Sequence, residues 1–157
     1  MKDSYEIFIE NIDNWINNFF IPLPIDKKKV EQILSKTSDD LKSSSHEDLT
    51  LDAIILYKYV DSLQSICNKE RSILEFAESS ILFICSEKIE NYGDKYTKWE
   101  LKYNGAVKEN PLALKLFKLA LVSKTRLASA EKRLDNVRKV ADLINQISNS
   151  KKYERNS

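Results

Sequence analysis

Turn-forming residues are nearly missing from this chain: its 157 residues include two glycines and three prolines. Sheets and sandwiches turn at the end of every strand and draw on glycine and proline to do so. Between Leu51 and Tyr92 neither residue occurs, so a strand-rich fold has nowhere to reverse. The prediction is an all-α protein built from few, long helices. Hydrophobic residues make up 42% and charged residues 31%, the balance of a folded chain rather than a disordered one. The length suits one domain with an appendage.

Periodicity gives the helices their extents. Between Leu51 and Tyr92 apolar residues fall on the two core positions, a and d, of a seven-residue repeat. Ala53, Val60, Cys67, Leu74 and Ile81 take a, while Leu56, Leu63, Ala77 and Ile84 take d. Glu70 occupies the d slot between Leu63 and Ala77, Lys88 takes the next a slot, and Tyr59, Ile66 and Ile73 widen the stripe. Gly93 is placed to close this helix as its C-cap. A second long helix is expected from Asn110-Pro111, with asparagine as N-cap and proline at the first helical position. Its repeat places Ala113, Ala120, Leu127, Leu134 and Ala141 at a, and Leu116, Ser123, Ala130, Val137 and Ile144 at d. Alanine at these positions lets a partner helix approach closely. Joined by a short insert, the two should fold back as an antiparallel pair. Two helices make a thin core for their length, so more helices are expected from the N-terminal region, from other subunits, or from both.

Residues 1–45 read as a helical hairpin attached to this pair. Asp3 and Glu6 have capping-box spacing. Tyr5, Phe8, Ile12, Trp15, Ile16 and Phe19 then recur at helical spacing, until Pro22 and Pro24 stop the helix. A second helix from about Asp26 carries Val30, Ile33, Leu34 and Leu41 on one face. Lys42 to Asp48 reads as a linker, and residues 149–157 as a frayed polar tail. The expected division is 1–45, 50–148 and 149–157.

The net charge of +1 conceals a split. Residues 1–49 carry 6 basic and 10 acidic groups, residues 50–92 carry 4 and 7, and residues 93–157 carry 15 and 7. A basic end of this kind attracts a polyanion, or pairs with acidic parts of the same or another subunit. In the second long helix Lys115, Lys118, Lys124, Arg126, Lys132, Arg133, Arg138 and Lys139 all lie off the a/d seam. His46 is the only histidine and falls in the linker, which argues against a histidine triad or a metal cluster. Two glycines cannot build a phosphate-binding glycine loop. Cys67 and Cys85 lack CxxC spacing and read as reduced core residues. The expectation is a non-enzyme with no cofactor and no metal. No apolar run reaches the roughly 20 residues of a membrane helix, and acidic residues interrupt the first apolar stretch, unlike a signal peptide. A cytoplasmic protein with no membrane contact is expected.

The segment Gly93 to Gly105, GDKYTKWELKYNG, interleaves Tyr96, Trp99 and Tyr103 with Lys95, Lys98 and Lys102. If helical, it sets the aromatics at i, i+3 and i+7 on one face and the lysines on the next, and Thr97 and Glu100 have capping-box spacing. Such a segment either folds its rings onto the long helices with the lysines snorkelling outward, or stacks bases and neutralises phosphates of a single strand. Together with the charge split, this favours nucleic-acid binding.

Asp94 to Lys102, DKYTKWELK, resembles the D-R-Y-x-K-x-E-x-K stretch of the UvsY-type recombination mediators of phages, matching at Asp94, Lys95, Tyr96, Lys98, Glu100 and Lys102. Just upstream, Glu87 to Gly93, EKIENYG, is similar to the run that closes the family's long helix. Lys88 stands where that run has an arginine implicated in strand binding; Ser86 stands where the family has a second basic residue. The resemblance covers about residues 50 to 148. It implies a ring-like homo-oligomer of helical subunits that binds single-stranded DNA, remodels the single-strand-binding protein and helps load a RecA-like recombinase, in a bacterial host cell, without hydrolysing anything. The residues it assigns to the strand are Lys88, Lys95, Tyr96, Lys98 and Lys102; the aromatic–lysine pattern adds Trp99, and the basic face of the second long helix adds Lys115 and Lys118 in support. Trp99, which the motif does not require, is the better candidate for packing. A competing reading is a helical adaptor or inhibitor acting through protein contacts, for which Trp15, Phe19 and Phe20 form the apolar surface. A third is a structural coiled coil with no nucleic-acid role.

Overall fold

The computed structural model describes residues 25–155 and, ahead of them, Glu6, Ile7, Glu10, Asn11 and Asn14, which are helical. Trp15, Phe19 and Phe20, and most of the expected first helix, lie outside the described residues. Among the described residues there is no strand. The helices are α1 (Lys27–Leu34), α2 (Ser38–Ser43), α3 (His46–Cys85), α4 (Trp99–Glu109) and α5 (Pro111–Arg155), with a 3₁₀ turn at Ile89–Asn91 between α3 and α4. The chain forms two compact units, one of residues 1–67 with 129–157 and one of residues 68–128.

In the first unit, α3 and α5 run antiparallel: the His46 ring meets Ser148 at 2.8 Å, and the Tyr57 hydroxyl donates to Asp142 at 2.7 Å. The buried stripe of α3 is Leu49, Ala53, Leu56, Val60, Leu63 and Cys67, and that of α5 is Leu134, Val137, Ala141, Ile144 and Ser148. These are the expected a and d positions, with Leu49 added near the start of α3 and Ser148 near the end of α5. Leu127 and Ala130 of the same repeat are only half-buried, and Ile66, expected to widen the stripe, is exposed.

The segment expected as one helix from Asp26 is two. Asp26 caps α1, accepting from the amides of Lys28 and Lys29. After Ser35 the chain breaks, because Thr37 and Asp40 form a reciprocal capping box that begins α2. Val30, Ile33 and Leu41 are buried and Leu34 half-buried, so this region supplies the extra helices the thin pair requires. Arg133 reaches Glu31 at 2.5 Å and Lys36 reaches Asp52 at 2.5 Å, tying the segment to α5 and α3.

Two boundaries differ from expectation. The linker is shorter: α3 begins at His46, preceded by a Ser45 hydroxyl that donates to the Asp48 carboxylate and accepts from its amide. Glu47 and Asp48 in the first turn suit the positive end of the helix dipole. The tail is helical to Arg155. It is held because the Lys151 ammonium donates to the carbonyls of Leu41, Lys42 and Ser44 at 3.4, 2.5 and 2.6 Å. These carbonyls close α2 and its exit, where a helix leaves acceptors without intrahelical partners.

The second unit contains the rest of α3, the 3₁₀ turn, α4 and the first part of α5. Here α3 departs from the seven-residue repeat. Ile73, Ala77, Ile81, Cys85 and Ile89 are buried, at four-residue spacing, while Leu74 and Ile84 are half-buried. Each four-residue step rotates the buried face by about 40°, carrying it toward the 3₁₀ turn. Helix α4 adds buried Ala106 and Val107, and α5 adds Ala113, Leu116, Ala120 and Ser123. Burial raises the Cys85 thiol above its ordinary pKa, in keeping with a reduced core cysteine. Asn110 caps α5 as expected, its side chain accepting from the amides of Leu112 and Ala113 at 3.0 and 3.1 Å.

Glu70 sits where the repeat asks for an apolar residue and is 6% exposed. Its Oε1 lies 3.7 Å from the Arg126 guanidinium, beyond hydrogen-bond length, and its Oε2 has no hydrogen-bond partner. A buried carboxylate so poorly satisfied is a net burden on the fold. Because the Arg126 side chain is 66% exposed and stays solvated without its partner, Glu70→Leu should stabilise the protein by about 1–3 kcal/mol, the cost of a buried polar group left unsatisfied, seen as a higher urea midpoint at unchanged slope; a lower midpoint would show that the pair with Arg126 holds this layer together.

Candidate nucleic-acid interface

Helix α3 does not run on to Gly93. It ends at Cys85, whose carbonyl accepts from the Lys88 amide at 2.9 Å, and the 3₁₀ turn follows. Ile89 anchors that turn by burial. Two further ties clamp it to α4. The Lys102 ammonium pairs with the Glu90 carboxylate at 2.7 Å, and the Tyr92 hydroxyl donates to Glu109. The Tyr92 ring also lies so close to Gly105 that a Cβ there would come within 2.6 Å of it. With both flanks fastened, residues 93–98 form a compact turn on the surface.

The turn has its own chemistry. Gly93 has φ of +133°, and a Cβ on it would meet the Thr97 side chain at 2.4 Å. Only glycine fits that backbone and that contact. Its role is thus to open the turn, not to cap α3. The Asp94 carboxylate accepts from the Tyr96 amide at 2.9 Å and the Thr97 hydroxyl at 3.1 Å, a turn in which the side chain mimics backbone. Because Asp94 takes the Thr97 hydroxyl, the expected Thr97–Glu100 capping box does not form; α4 begins at Trp99 with Lys98 ahead of it and no side-chain cap. Tyr96 consequently precedes the helix and does not share a face with Trp99 and Tyr103.

The candidate residues separate into three groups. Tyr96 is 81% exposed, with the Lys95 ammonium 5.0 Å from its ring centroid; Lys88 and Lys98 are also exposed. Trp99 is half-exposed and stacks on Tyr103, with centroids 5.0 Å apart and planes at 20°. Lys102 is buried and its charge is taken up by Glu90, so it fastens the turn and does not present itself to a strand. Lys115 and Lys118 are exposed on the α5 part of the same unit. Sequence reasoning missed Asp94 as the organiser of the turn, although an aspartate two residues before the ordered amide is the ordinary signal for one. It also missed the Tyr92–Gly105–Glu109 clamp, which joins residues too distant for a local rule. His46 is not in a linker; its Nδ1 contacts the Ser148 carbonyl at 2.9 Å at the start of α3.

No family model, curated protein or solved structure matches this chain. Among the described residues no cluster of histidine, cysteine, aspartate and glutamate could hold a metal ion, and no helix is long and apolar enough to cross a membrane.

The Tyr96 amide and the Thr97 groups hold the Asp94 carboxyl below its ordinary pKa of 3.8. A group shifted down in this way supports the fold above its ordinary value, and that support is lost as acid takes the pH through the lower, folded value. The Tyr96 and Thr97 amide resonances should therefore titrate together with a midpoint below 3.8. Asp94→Ala should abolish that titration and lower the amide protection of Tyr96; unchanged protection would mean the carboxylate does not organise the turn.

Proposed function

We propose that this protein is a single-strand-binding recombination mediator, a homo-oligomer that holds single-stranded DNA through the 93–98 turn and helps load a RecA-like recombinase onto strands covered by single-strand-binding protein. One observation carries the strand-binding part: a tyrosine ring 81% exposed, held out by a turn clamped on both sides, with a lysine ammonium beside it. A ring so placed contributes nothing to the core, whereas stacking on a base is worth about 1–3 kcal/mol. In this reading Tyr96 stacks, Lys88, Lys95 and Lys98 neutralise phosphates, and the half-exposed face of Trp99 extends the platform along the strand. Lys115 and Lys118 add attraction from α5, and Lys102 keeps the turn in place. The recombinase-loading part rests on the likeness of Asp94–Lys102 to the UvsY-type motif. The adaptor reading finds support in Phe83, 85% exposed on α3, which is suited to a protein contact.

Anisotropy titration with a labelled oligothymidylate tests strand binding. Affinity should fall linearly with salt on logarithmic axes. Tyr96→Ala should weaken binding about 5- to 150-fold, the equivalent of one stacked base. Lys95→Glu with Lys98→Glu should remove binding near 0.1 M salt while leaving helicity intact. Absence of binding at low salt, or binding indifferent to salt, overturns the proposal.

A further inference from the structure

Phe83 is 85% exposed on α3, and nothing in its own unit covers it. One turn back on the same side of the helix lies Ser79, exposed and uncharged, so on that flank another surface can dock without stripping water from charge. An interface core has this composition: an aromatic residue with charge depleted around it. The second unit also holds the complementary feature. A cavity of about 200 Å³ is lined by Leu74, Ile81, Phe117, Ala120 and Leu121, with Tyr103, Glu78 and Lys124 also on its wall. Apolar cavities of about 150 Å³ take up benzene, so this one has room for a phenyl ring.

Helix geometry decides where the ring must come from. At about 100° per residue, Leu74, Glu78 and Ile81 span an arc of roughly 60°, and Phe83 points about 180° away from its centre. The ring and the cavity are therefore on opposite sides of one helix, and a chain cannot place its own Phe83 in its own cavity. Charges agree with insertion from another copy. Glu87 lies four residues past Phe83, in the turn that follows α3, and Lys124 is on the cavity wall; both are exposed.

We propose that Phe83 of one copy inserts into the Leu74–Phe117–Leu121 cavity of the next, with Glu87 meeting Lys124 at the margin. Because ring and cavity face opposite ways, two copies cannot satisfy each other. The contact is head-to-tail, and repetition gives a closed ring or an open filament according to the rotation between copies. This rests on the homo-oligomer part of the reading above; it meets the strand-binding part only at Tyr103, which lines the cavity and stacks on Trp99, and Phe83 is remote from that stack on the opposite side of α3.

Native mass spectrometry and sedimentation velocity on the full chain test it. The wild type should form assemblies larger than a dimer. Phe83→Ser, which changes an exposed site, and Ala120→Met, which fills the cavity, should each weaken assembly at least about thirtyfold, the effect of losing one aromatic anchor. Mixed in equal amounts, they should form a one-to-one dimer and nothing larger, because one intact ring then meets one intact cavity. Should Ala120→Met lose helicity, charge reversal replaces it: Glu87→Lys or Lys124→Glu alone weakens assembly, and the two together restore it. A wild type that stays a single subunit near 100 μM, a Phe83→Ser variant that assembles normally, or a mixture that does not dimerise overturns the contact. Binding of a short oligonucleotide, measured on the same variants, separates the two readings: its loss in an assembled wild type sinks strand binding and leaves the self-contact standing.

Discussion

A helix as long as α3, 40 residues, cannot cover its own apolar stripe, and the fold follows from how that stripe is covered. In the first unit it lies against α5 in alternating steps of three and four residues, with Ala53 and Ala141 small enough to let the backbones close. In the second unit the step becomes four and the buried face turns toward the 3₁₀ segment. That change of period is what gives the Tyr96 turn a base. Ile89 lies on the rotated stripe, and once it is buried Glu90 and Tyr92 stand where Lys102, Gly105 and Glu109 can hold them.

Local chemistry explains which boundaries were legible. The start of α5 could be read because an asparagine cap and a proline at the first turn act within three residues. The core positions of α5 could be read because packing repeats along a helix. The end of α3 could not: no glycine or proline marks Cys85, and the helix stops where its neighbours change. The break between α1 and α2 was written in Thr37 and Asp40, but a continuous apolar face spoke louder than one capping box. The helical tail depends on Lys151 finding carbonyls over a hundred residues away in sequence, a relation no window along the chain contains.

The candidate site divides in the same way. Composition alone marked residues 93–105 as unusual, and Tyr96 and Lys98 are exposed there. Which lysine faces solvent was not legible, since only the fold leaves Lys98 ahead of α4 and brings Glu90 within reach of Lys102. Phe83 was passed over because one phenylalanine off the repeat looks unremarkable until its surroundings are known.

The bond from Lys151 to the end of α2 sets an order of events during synthesis. The Ser44 carbonyl waits for a donor 107 residues downstream. At about 5–20 residues per second, a ribosome needs several seconds or more to deliver it. Throughout that interval α1 and α2 exist without their lock, and α3 lengthens without the partner that covers its stripe. The chain is thus a late closer: α1 and α2 are secured by a side chain made more than a hundred residues after them, and the apolar stripe of α3 stays open to other molecules until α5 follows.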